Sequence, residues 1–334
     1  MKISCIIPAY GRDISVLEET LKSLFSLGEE FFSNCIEVWV IDQNWPSLAL
    51  EKLNLFESME YRKVCGRCES GTGQASRKAN SLVLYHVTGI APSTTIAKNW
   101  AITRAQGDLL LFCDDDVSLR PGAIKAHLQW QAASAGGKKM GMLGGREIIF
   151  PVDYGRGPLK NGIAKIMGFG KKHVGTVSER SFFLCDFDQD LEGIVPVDTI
   201  RGCNASLRKA IWSEVGGFDE AFQRTALREE SDLALRIKRA GYQNYYCGSA
   251  VAIHRRQVGG CNNLVRSYNT LLSKFECELL FQSKHFGDKS AFYFFLRMLP
   301  LTLESLLFSW GFSFVLLMQF TLKFLSIKNA NINK

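Results

Sequence analysis

Three adjacent aspartates, Asp114, Asp115 and Asp116, directly follow a run of apolar and thiol side chains at residues 109–113. Neighbouring carboxylates repel one another, and a bound cation relieves that repulsion. Mg²⁺ and Mn²⁺ prefer carboxylate and phosphate oxygens, and proteins commonly hold Mg²⁺ through one or two carboxylates and substrate phosphates. Alternate side chains of an extended chain point to the same side, so Asp114 and Asp116 could bind one cation while Asp115 points away. An N-cap cluster before a helix is the alternative, but a cap needs only one acid.

The elements that must position these aspartates alternate between strand and helix along the first half of the chain. Apolar runs predict strands at residues 3–8, 36–41, 81–87 and 108–113, and helical spacing predicts helices at 14–27, 44–60 and 93–105. Such alternation predicts an α/β fold with a mostly parallel twisted sheet and flanking helices. Ligands bind beyond the carboxyl ends of such strands, where polar residues follow at 10–13, 42–44 and 114–116. These three strand ends are therefore expected to converge on one rim.

The composition is that of an ordinary globular protein of 334 residues, with 46% hydrophobic and 22% charged residues. The net charge of +7 suits an anionic partner such as a nucleotide, a phosphate-bearing substrate or a membrane surface. Lys and Arg are not concentrated in one run, which argues against nucleic-acid binding. The amino terminus lacks the pattern of a signal peptide and predicts a first strand, so the globular part is expected in the cytoplasm.

The ten cysteines are scattered, and several lie inside apolar runs. This pattern predicts buried thiols in a reducing compartment rather than a disulfide framework. Only Cys65 and Cys68 have the close spacing of a zinc-binding pair. Because no second pair of cysteines or histidines accompanies them, two separate thiols in a loop are the simpler interpretation.

The C-terminal segment differs in composition from the rest of the chain. Glu304 is the only charged residue between positions 298 and 322. The uncharged stretch is long enough to cross a bilayer, but Pro300 and Gly311 interrupt it and basic residues flank both sides. We therefore expect residues 289–334 to form a hydrophobic helical tail that associates with a membrane, in an interfacial or re-entrant arrangement rather than a full span. A helix buried against the domain or a partner subunit is the alternative.

Short motifs with chemically useful side chains follow one another along residues 2–256. In chain order they are Pro8-Ala9-Tyr10 with Gly11 and Arg12, Asp42 after the second strand, Ala97-Lys98-Asn99, Asp114-Asp115-Asp116, Gly202-Cys203-Asn204, Gly216-Gly217-Phe218-Asp219-Glu220, Glu229-Glu230 with Asp232, and His254. In this order and spacing the sequence resembles the family 2 glycosyltransferases, which have the GT-A fold. The resemblance rests on all of these motifs together.

The resemblance implies a nucleotide-sugar site built largely from the first half of the chain. Its residues would be Pro8, Ala9, Tyr10, Arg12, Asp42, Lys98, Asn99, Asp114 and Asp115, with Mg²⁺ or Mn²⁺ on Asp114, Asp116 and His254. The loop at residues 8–12 would cradle the nucleotide base and Asp42 would contact it, but Gln43 replaces the family's second acid and leaves the base undetermined. Lys98 keeps a positive charge for the diphosphate without the fork of an arginine. Asp115 could contact the ribose or share the metal, and His254 could instead be structural.

The resemblance also implies an acceptor site and a general base in the second half of the chain. The acceptor residues would be Gly202, Asn204, Gly217, Phe218 and Asp219, although the Gly-Gly turn could be purely structural. The family's general base is an Asp, and the matching position holds Glu230, whose side chain is one methylene longer. Glu229 could take this role instead, and both could simply be acids favoured at a helix N-terminus.

Together these implications describe an inverting glycosyltransferase, which moves a sugar from a nucleoside-diphosphate sugar to a hydroxyl group of a glycan or lipid-linked acceptor. Residues 1–120 would form the nucleotide-sugar-binding half, residues 121–288 the acceptor-binding half and residues 289–334 the tail. The tail would place the enzyme on the cytoplasmic face of a membrane, in cell-surface polysaccharide or glycolipid synthesis. No nucleic-acid partner is expected.

Two other classes of protein remain open. A sugar nucleotidylyltransferase also joins an α/β nucleotide domain to Mg²⁺, but it usually has a glycine-rich phosphate loop after the first strand, and residues 8–12 lack those glycines. A membrane-bound binding module could keep the fold without turnover, which Gln43 and the Glu at position 230 would allow. The presence of Asp114, Asp116 and Glu230 argues against a loss of catalysis.

Overall fold

The structure of the protein is a computed structural model, which describes residues 1–44, 46–53, 55, 59–67, 82–133, 139–149, 174–177, 183–184, 186–257, 259–260 and 268–287. The strands are β1 Ile3–Ala9, β2 Cys35–Asp42, β3 Glu60–Cys65, β4 Val83–Thr88, β5 Leu109–Cys113, β6 Val117–Leu119, β7 Lys139–Ile149, β8 Thr176–Val177, β9 Phe183–Leu184, β10 Ile194–Val197, β11 Asn204–Arg208 and β12 Tyr242–His254. The helices are α1 Ile14–Phe25, α2 Glu29–Phe32, α3 Thr94–Arg104, α4 Ala123–Ala132, α5 Lys209–Glu214, α6 Glu229–Arg239 and α7 Tyr268–Phe286.

One ten-stranded sheet dominates the fold, in the order β10-β12-β7-β11-β5-β1-β2-β4-β3, with β6 paired to β12. The strands β1 to β5 run parallel to one another. β11 runs antiparallel between β5 and β7, whereas β12 is parallel to β7. The predicted α/β sheet with flanking helices is thus confirmed, and the antiparallel pairings lie in its second half.

The central strand β5 is buried on both faces, as its unbroken apolar sequence predicts. Its side chains alternate between two apolar layers, one on each face of the sheet. The first layer contains Leu109 and Leu111 with Leu17, Leu21 and Leu24 of α1. The second layer contains Leu110 and Phe112 with Ala97 and Ala101 of α3 and Leu233 and Ile237 of α6. Because each fully buried Leu or Phe contributes about 1.5–3 kcal/mol, these layers hold the three helices against the sheet.

The carboxyl ends of β1, β2 and β5 meet at one edge of the sheet. In the pairing of neighbouring strands, Ala9 lies opposite Asp42, and Ile6 lies opposite Phe112. β11 runs in the reverse direction and begins at this edge, because Asn204 lies opposite Cys113. We call this edge the rim, formed by residues 8–12, 42–44, 113–116 and 202–204. The convergence of strand ends that the sequence predicts is therefore present.

The helix predicted at residues 44–60 does not form in the described part of that stretch. A single 3₁₀ turn covers Leu50–Lys52, and an unpredicted strand begins at Glu60. Leu50 is fully buried, and Leu48 packs against the same apolar layer as α1. These side chains thus belong to an irregular loop and are buried in the core. Their spacing therefore reflects burial rather than helical structure.

No described helix is long and apolar enough to cross a membrane. The tail predicted at residues 289–334 lies outside the described residues, as does Cys68 of the close-spaced thiol pair. The described cysteines other than Cys65 are buried thiols, which agrees with the pattern of cysteines inside apolar runs.

Candidate active site

A cleft of about 470 Å³ opens at the rim. The predicted site residues that line it are Pro8, Tyr10, Arg12, Lys98, Asp114, Asp115, Gly202, Glu229, Glu230 and His254. Within the described part of the chain, the predicted residues that do not line it are Ala9, Asp42, Asn99, Asp116, Asn204, Gly217, Phe218 and Asp219. The strand order thus brings residues that are far apart in the sequence to one cleft, and it places the second set behind or beside that cleft.

Asp42 is fully buried beneath the rim, where its carboxylate organises the loop after β2. Oδ2 lies 3.1 Å from Nε2 of His86 and accepts a hydrogen bond from the backbone N–H of Leu48 at 2.6 Å. Oδ1 accepts hydrogen bonds from the backbone and side-chain amides of Asn44. Although burial opposes the charge, these bonds lower the pKa of Asp42. Gln43, not Asp42, lines the cleft. Asp42, which the resemblance assigns to base recognition, instead stabilises the loop after β2.

The three aspartates do not alternate as an extended chain would, because the chain turns at Asp115 and Asp116. Asp114 and Asp115 line the cleft, whereas Asp116 is fully buried. Arg12 holds the last two, with Nε 3.2 Å from Oδ1 of Asp115 and Nη2 2.8 Å from Oδ2 of Asp116. Burial, opposed by the charge of Arg12, raises the pKa of Asp115 to about 7. The side chains of Asp114 and Asp116 therefore do not face the cleft together, and Arg12 binds carboxylates of its own chain.

One group of described side chains has the donor atoms and the spacing to hold a metal ion. An oxygen of Asp114, Sγ of Cys203 and a ring nitrogen of His254 all lie within 4.8 Å of one another. Cys203 reaches this position because it directly precedes β11, which begins beside the end of β5. Divalent cations accept oxygen, sulfur and nitrogen ligands in such mixtures. The group therefore fits a divalent cation. It contains Asp114 and His254 of the predicted metal residues together with Cys203, and Asp116 lies beside it, with Oδ1 3.1 Å from Nε2 of His254.

Two carboxylates hold the imidazole of His254 through its two ring nitrogens. Nδ1 lies 2.6 Å from Oε1 of Glu147, and Nε2 lies 3.1 Å from Oδ1 of Asp116. Although burial opposes the positive charge, the contacts with Asp116, Cys203 and Glu147 raise the pKa of His254. Glu147 lies on β7, is almost fully buried and is itself paired with Arg201. Glu147 is absent from the predicted residues, because a single acid within a strand forms no recognisable motif.

The first turn of α6 presents two carboxylates with different surroundings. Glu229 is 2% exposed, and its Oε1 lies 2.6 Å from Nζ of Lys98. Oε1 of Glu230 lies 3.7 Å from the same Nζ, and the Glu230 side chain is 26% exposed in the cleft. Although burial opposes the charge, the carboxylates of Glu229, Glu230 and Asp114 raise the pKa of Lys98. Glu230 is thus the carboxylate that a molecule in the cleft can reach, whereas Glu229 is bound to Lys98.

Gly202 packs directly against the side chain of Glu230. A Cβ atom at position 202 would lie 2.5 Å from Oε1 and 2.8 Å from Cγ of Glu230. Both distances are too short for non-bonded atoms in a close-packed protein, so any larger residue would displace the carboxylate. The glycine that the sequence assigned to acceptor binding therefore makes room for Glu230.

The turn at residues 216–220 holds the fold rather than lining the cleft. Asn99 of α3 donates a hydrogen bond to the carbonyl of Phe218 at 2.8 Å and accepts one from its backbone N–H at 3.0 Å. Gly217 has a φ of 72°, a backbone conformation that favours glycine. Asp219 forms an ion pair of 2.6 Å with Lys284 of α7. These contacts favour the structural interpretation of the turn over direct acceptor binding.

Asn204, also predicted for acceptor binding, is buried at the start of β11. Its Nδ2 donates a hydrogen bond to the carbonyl of Ala250 at 2.8 Å, and its Oδ1 lies 3.0 Å from Nε2 of His127. Nδ1 of the same imidazole lies 2.9 Å from Oγ of Ser206. Burial, opposed by the bond to Asn204, lowers the pKa of His127 to about 4. The amide therefore joins β11 to β12 and α4 and does not reach the cleft.

Four unpredicted cationic residues line the same cleft: Arg201, Arg228, Arg256 and Lys274. Arg228 and Arg256 have positive φ angles of 75° and 48°, which are uncommon for residues other than glycine. Such strained residues cluster at functional sites. Nε of Arg228 lies 2.8 Å from Oε2 of Glu278, whereas Arg256 is exposed. This positive charge makes the cleft suitable for an anionic ligand.

Comparisons with known proteins relate the chain to glycosyltransferases. No family model matches it. The uncharacterized glycosyltransferase YfnE of Bacillus subtilis strain 168 is 22% identical to it over 289 residues, which cover 79% of this chain and 67% of that protein.

The fold also has solved counterparts. The crystal structure of GalNAc-T7 with UDP, GalNAc and Mn²⁺ matches with a TM-score of 0.55 and 11% identity, over 83% of this chain and 47% of that one, so this chain spans about half its length. The mannosyltransferase PcManGT from Pyrobaculum calidifontis, in complex with GDP-Man and Mn²⁺, covers 97% of this chain and 87% of its own at 13% identity, but its TM-score of 0.49 is too low to add to the assignment. The chain therefore has the GT-A-type fold of glycosyltransferases, and membership of family 2 stays a prediction.

Proposed function

We propose that the protein is an inverting glycosyltransferase, which moves a sugar from a nucleoside-diphosphate sugar to a hydroxyl group of an acceptor. One observation above all supports this function. The accessible carboxylate of Glu230 lines the same cleft as Asp114, Cys203 and His254, the group that fits a cation. The cleft lies beyond the carboxyl ends of the parallel strands, where sheets of this kind bind their ligands.

Glu230 is the proposed general base. Its carboxylate accepts the proton of the acceptor hydroxyl while the hydroxyl oxygen forms a bond to the anomeric carbon of the donor sugar. The bond from that carbon to the diphosphate oxygen breaks in the same displacement, so the anomeric configuration inverts. Glu229 is the less accessible of the two acids, because it is 2% exposed and its carboxylate is bound to Lys98.

The residues that would hold a divalent cation such as Mg²⁺ or Mn²⁺ are Asp114, Cys203 and His254. When bound, such a cation offsets the negative charge that develops on the leaving diphosphate. The exposed guanidinium of Arg256 and the side chain of Lys274 add positive charge to the same cleft. These groups together favour an anionic donor over a neutral sugar.

The acceptor and the location of the enzyme are further parts of the proposal. We propose a glycan or lipid-linked acceptor, used in cell-surface polysaccharide or glycolipid synthesis, and attachment through residues 289–334 to the cytoplasmic face of a membrane. Cell fractionation tests the attachment. Sedimentation with membranes and release by detergent would support it, whereas protein that stays soluble without detergent or added salt would contradict it.

A thermal-shift screen of nucleotide sugars with Mn²⁺ identifies the donor, and analysis of the reaction products then identifies the reaction. Release of a free nucleoside diphosphate supports glycosyl transfer. Release of pyrophosphate would instead identify a sugar nucleotidylyltransferase. A donor that binds and never turns over, with any hydroxyl acceptor or with water, would identify a binding module of the same fold.

A further inference from the structure

We propose that Cys203 supplies a thiolate ligand to the metal site, and that this sulfur makes the site prefer a thiophilic cation such as Zn²⁺ or Co²⁺ over Mg²⁺. The inference rests on the proposed function, because it concerns the cation that accompanies the donor diphosphate. It departs from the set of Asp114, Asp116 and His254 that the resemblance implies.

The geometry places three kinds of donor atom around one point. The carboxylate of Asp114, the thiol of Cys203 and the imidazole of His254 have donor atoms within 4.8 Å of one another. Tetrahedral Zn²⁺ has bonds of about 2.3 Å to sulfur and about 2.0–2.2 Å to nitrogen and oxygen, which separates its ligands by roughly 3.5 Å. The three side chains therefore need to approach by only about 1 Å. Catalytic zinc sites commonly have three protein ligands and one open position, and the three residues here all line the cleft.

Glu147 orients the histidine for this role. Its Oε1 lies 2.6 Å from Nδ1 of His254, so the other ring nitrogen, Nε2, is the one that a cation can use. Histidines that bind metals usually donate their second N–H to a carboxylate in this way. Glu147 is 2% exposed and paired with Arg201, so its position is fixed by packing and charge. Nε2 lies 3.1 Å from Oδ1 of Asp116 in the structure, so a cation held by His254 would have to compete with this contact.

The sulfur decides which cation the site prefers. Mg²⁺ favours six oxygen ligands, whereas thiolate and imidazole ligands favour Zn²⁺ and other late transition metals. Coordination breaks the S–H bond of Cys203, and the proton passes to solvent. We therefore expect affinity to fall in the order Zn²⁺, Co²⁺, Mn²⁺, Mg²⁺.

Titration with Co²⁺, followed by near-ultraviolet absorption, tests the ligand directly. The full chain is used with Cys65→Ser, which removes the exposed thiol of the close-spaced pair and serves as the reference protein. We expect one thiolate-to-Co²⁺ charge-transfer band per chain in the reference. Adding Cys203→Ser should abolish the band and weaken Zn²⁺ binding, measured by calorimetry, by about tenfold or more. Mg²⁺ binding should change much less.

A measurement on the reference protein alone covers the case in which Cys203→Ser does not fold. Zinc X-ray absorption of the Zn²⁺-loaded protein should show one sulfur neighbour at about 2.3 Å. A zinc shell of only oxygen and nitrogen, or a charge-transfer band that survives Cys203→Ser, would overturn the assignment. These outcomes are separate from the proposed function. Glycosyl transfer with an all-oxygen and nitrogen metal shell would refute only the thiolate, whereas a sulfur-bound cation without donor binding would refute only the transferase.

Discussion

Nζ of Lys98 lies 2.6 Å from Oε1 of Glu229, and both side chains are 2% exposed. This buried ion pair joins α3 to the first turn of α6. Glu229 is bound to Lys98, so the neighbouring Glu230 is the accessible carboxylate. Glu230, the predicted base, and Glu229, its alternative, therefore differ in surroundings: Glu229 is bound inside the protein and Glu230 is open to the cleft.

Glu229→Gln should destabilise the protein by up to about 3–5 kcal/mol, because it leaves the buried Lys98 ammonium with a neutral amide and with Glu230, whose Oε1 is 3.7 Å away. Glu230→Gln should change the free energy of unfolding much less, since its side chain is 26% exposed. Urea unfolding of the two variants provides the comparison. The double variant Lys98→Met with Glu229→Leu should recover part of the loss, because it removes both buried charges. Equal stability of Glu229→Gln and the wild type would show that the pair contributes nothing.

Gly202→Ala should lower the catalytic rate with little loss of stability. The new methyl group would meet Oε1 of Glu230 at 2.5 Å, so the carboxylate must move away. We expect kcat to fall by about tenfold or more, because small displacements of a general base are costly, while KM for the donor stays nearly constant. Gly193→Ala is a matched control, since its new methyl group would have no atom within 4 Å, although its φ of 68° adds some strain. A Gly202→Ala enzyme with unchanged kcat would refute the close packing of Gly202 on the base.

Stability should fall as the pH drops from about 6.5 toward 4, and His127 should account for part of the fall. Its folded-state pKa of about 4 is depressed, so the unfolded chain binds a proton in this range and the native state does not. The loss is on the order of 3 kcal/mol at the acid end and absent above the unfolded pKa. His127→Gln lacks this titration, so its unfolding free energy should depend less on pH. Parallel pH profiles for the two proteins would contradict the buried neutral imidazole.

A nucleoside diphosphate with Mn²⁺ should raise the melting temperature of the wild type. A ligand at 100 times its Kd adds about 2.7 kcal/mol to the stability of the state that binds it. Asp114→Asn should abolish this gain without lowering the stability of the free protein, because Asp114 lines the cleft. Asp116→Asn should instead destabilise the free protein, since it breaks the 2.8 Å contact with Arg12. Equal loss of free-protein stability in both variants would contradict the different roles of the two aspartates.

The strands and helices of the first half could be predicted because each is indicated by residues that are neighbours in the sequence. The apolar runs of β1, β2 and β5 and the helical spacing of α1 and α3 each depend on neighbouring residues, and all five elements lie within two residues of their predicted bounds. The prediction of a helix at residues 44–60 was wrong, because apolar side chains such as Leu50 can be buried when they belong to a loop as well as when they belong to a helix.

The details of the site could not be predicted, because they depend on contacts between distant segments. Which aspartates line the cleft depends on the turn at Asp115 and Asp116 and on Arg12, which lies in the loop after β1. Cys203 becomes a candidate ligand only when β11 runs antiparallel to β5, a pairing that no local pattern indicates. Glu147 acts through His254 and forms no motif with it in the sequence.

The proposed general base is tested most directly by the rate of nucleoside-diphosphate release by the wild type and by Glu230→Gln. Both are measured with the donor found in the thermal-shift screen, at saturating donor and Mn²⁺. We expect the variant to bind the donor with an unchanged Kd and to release nucleoside diphosphate about 10²–10⁴-fold more slowly. Equal rates in the two proteins, or pyrophosphate as the product, would contradict the role of Glu230 as the base of a glycosyl transfer.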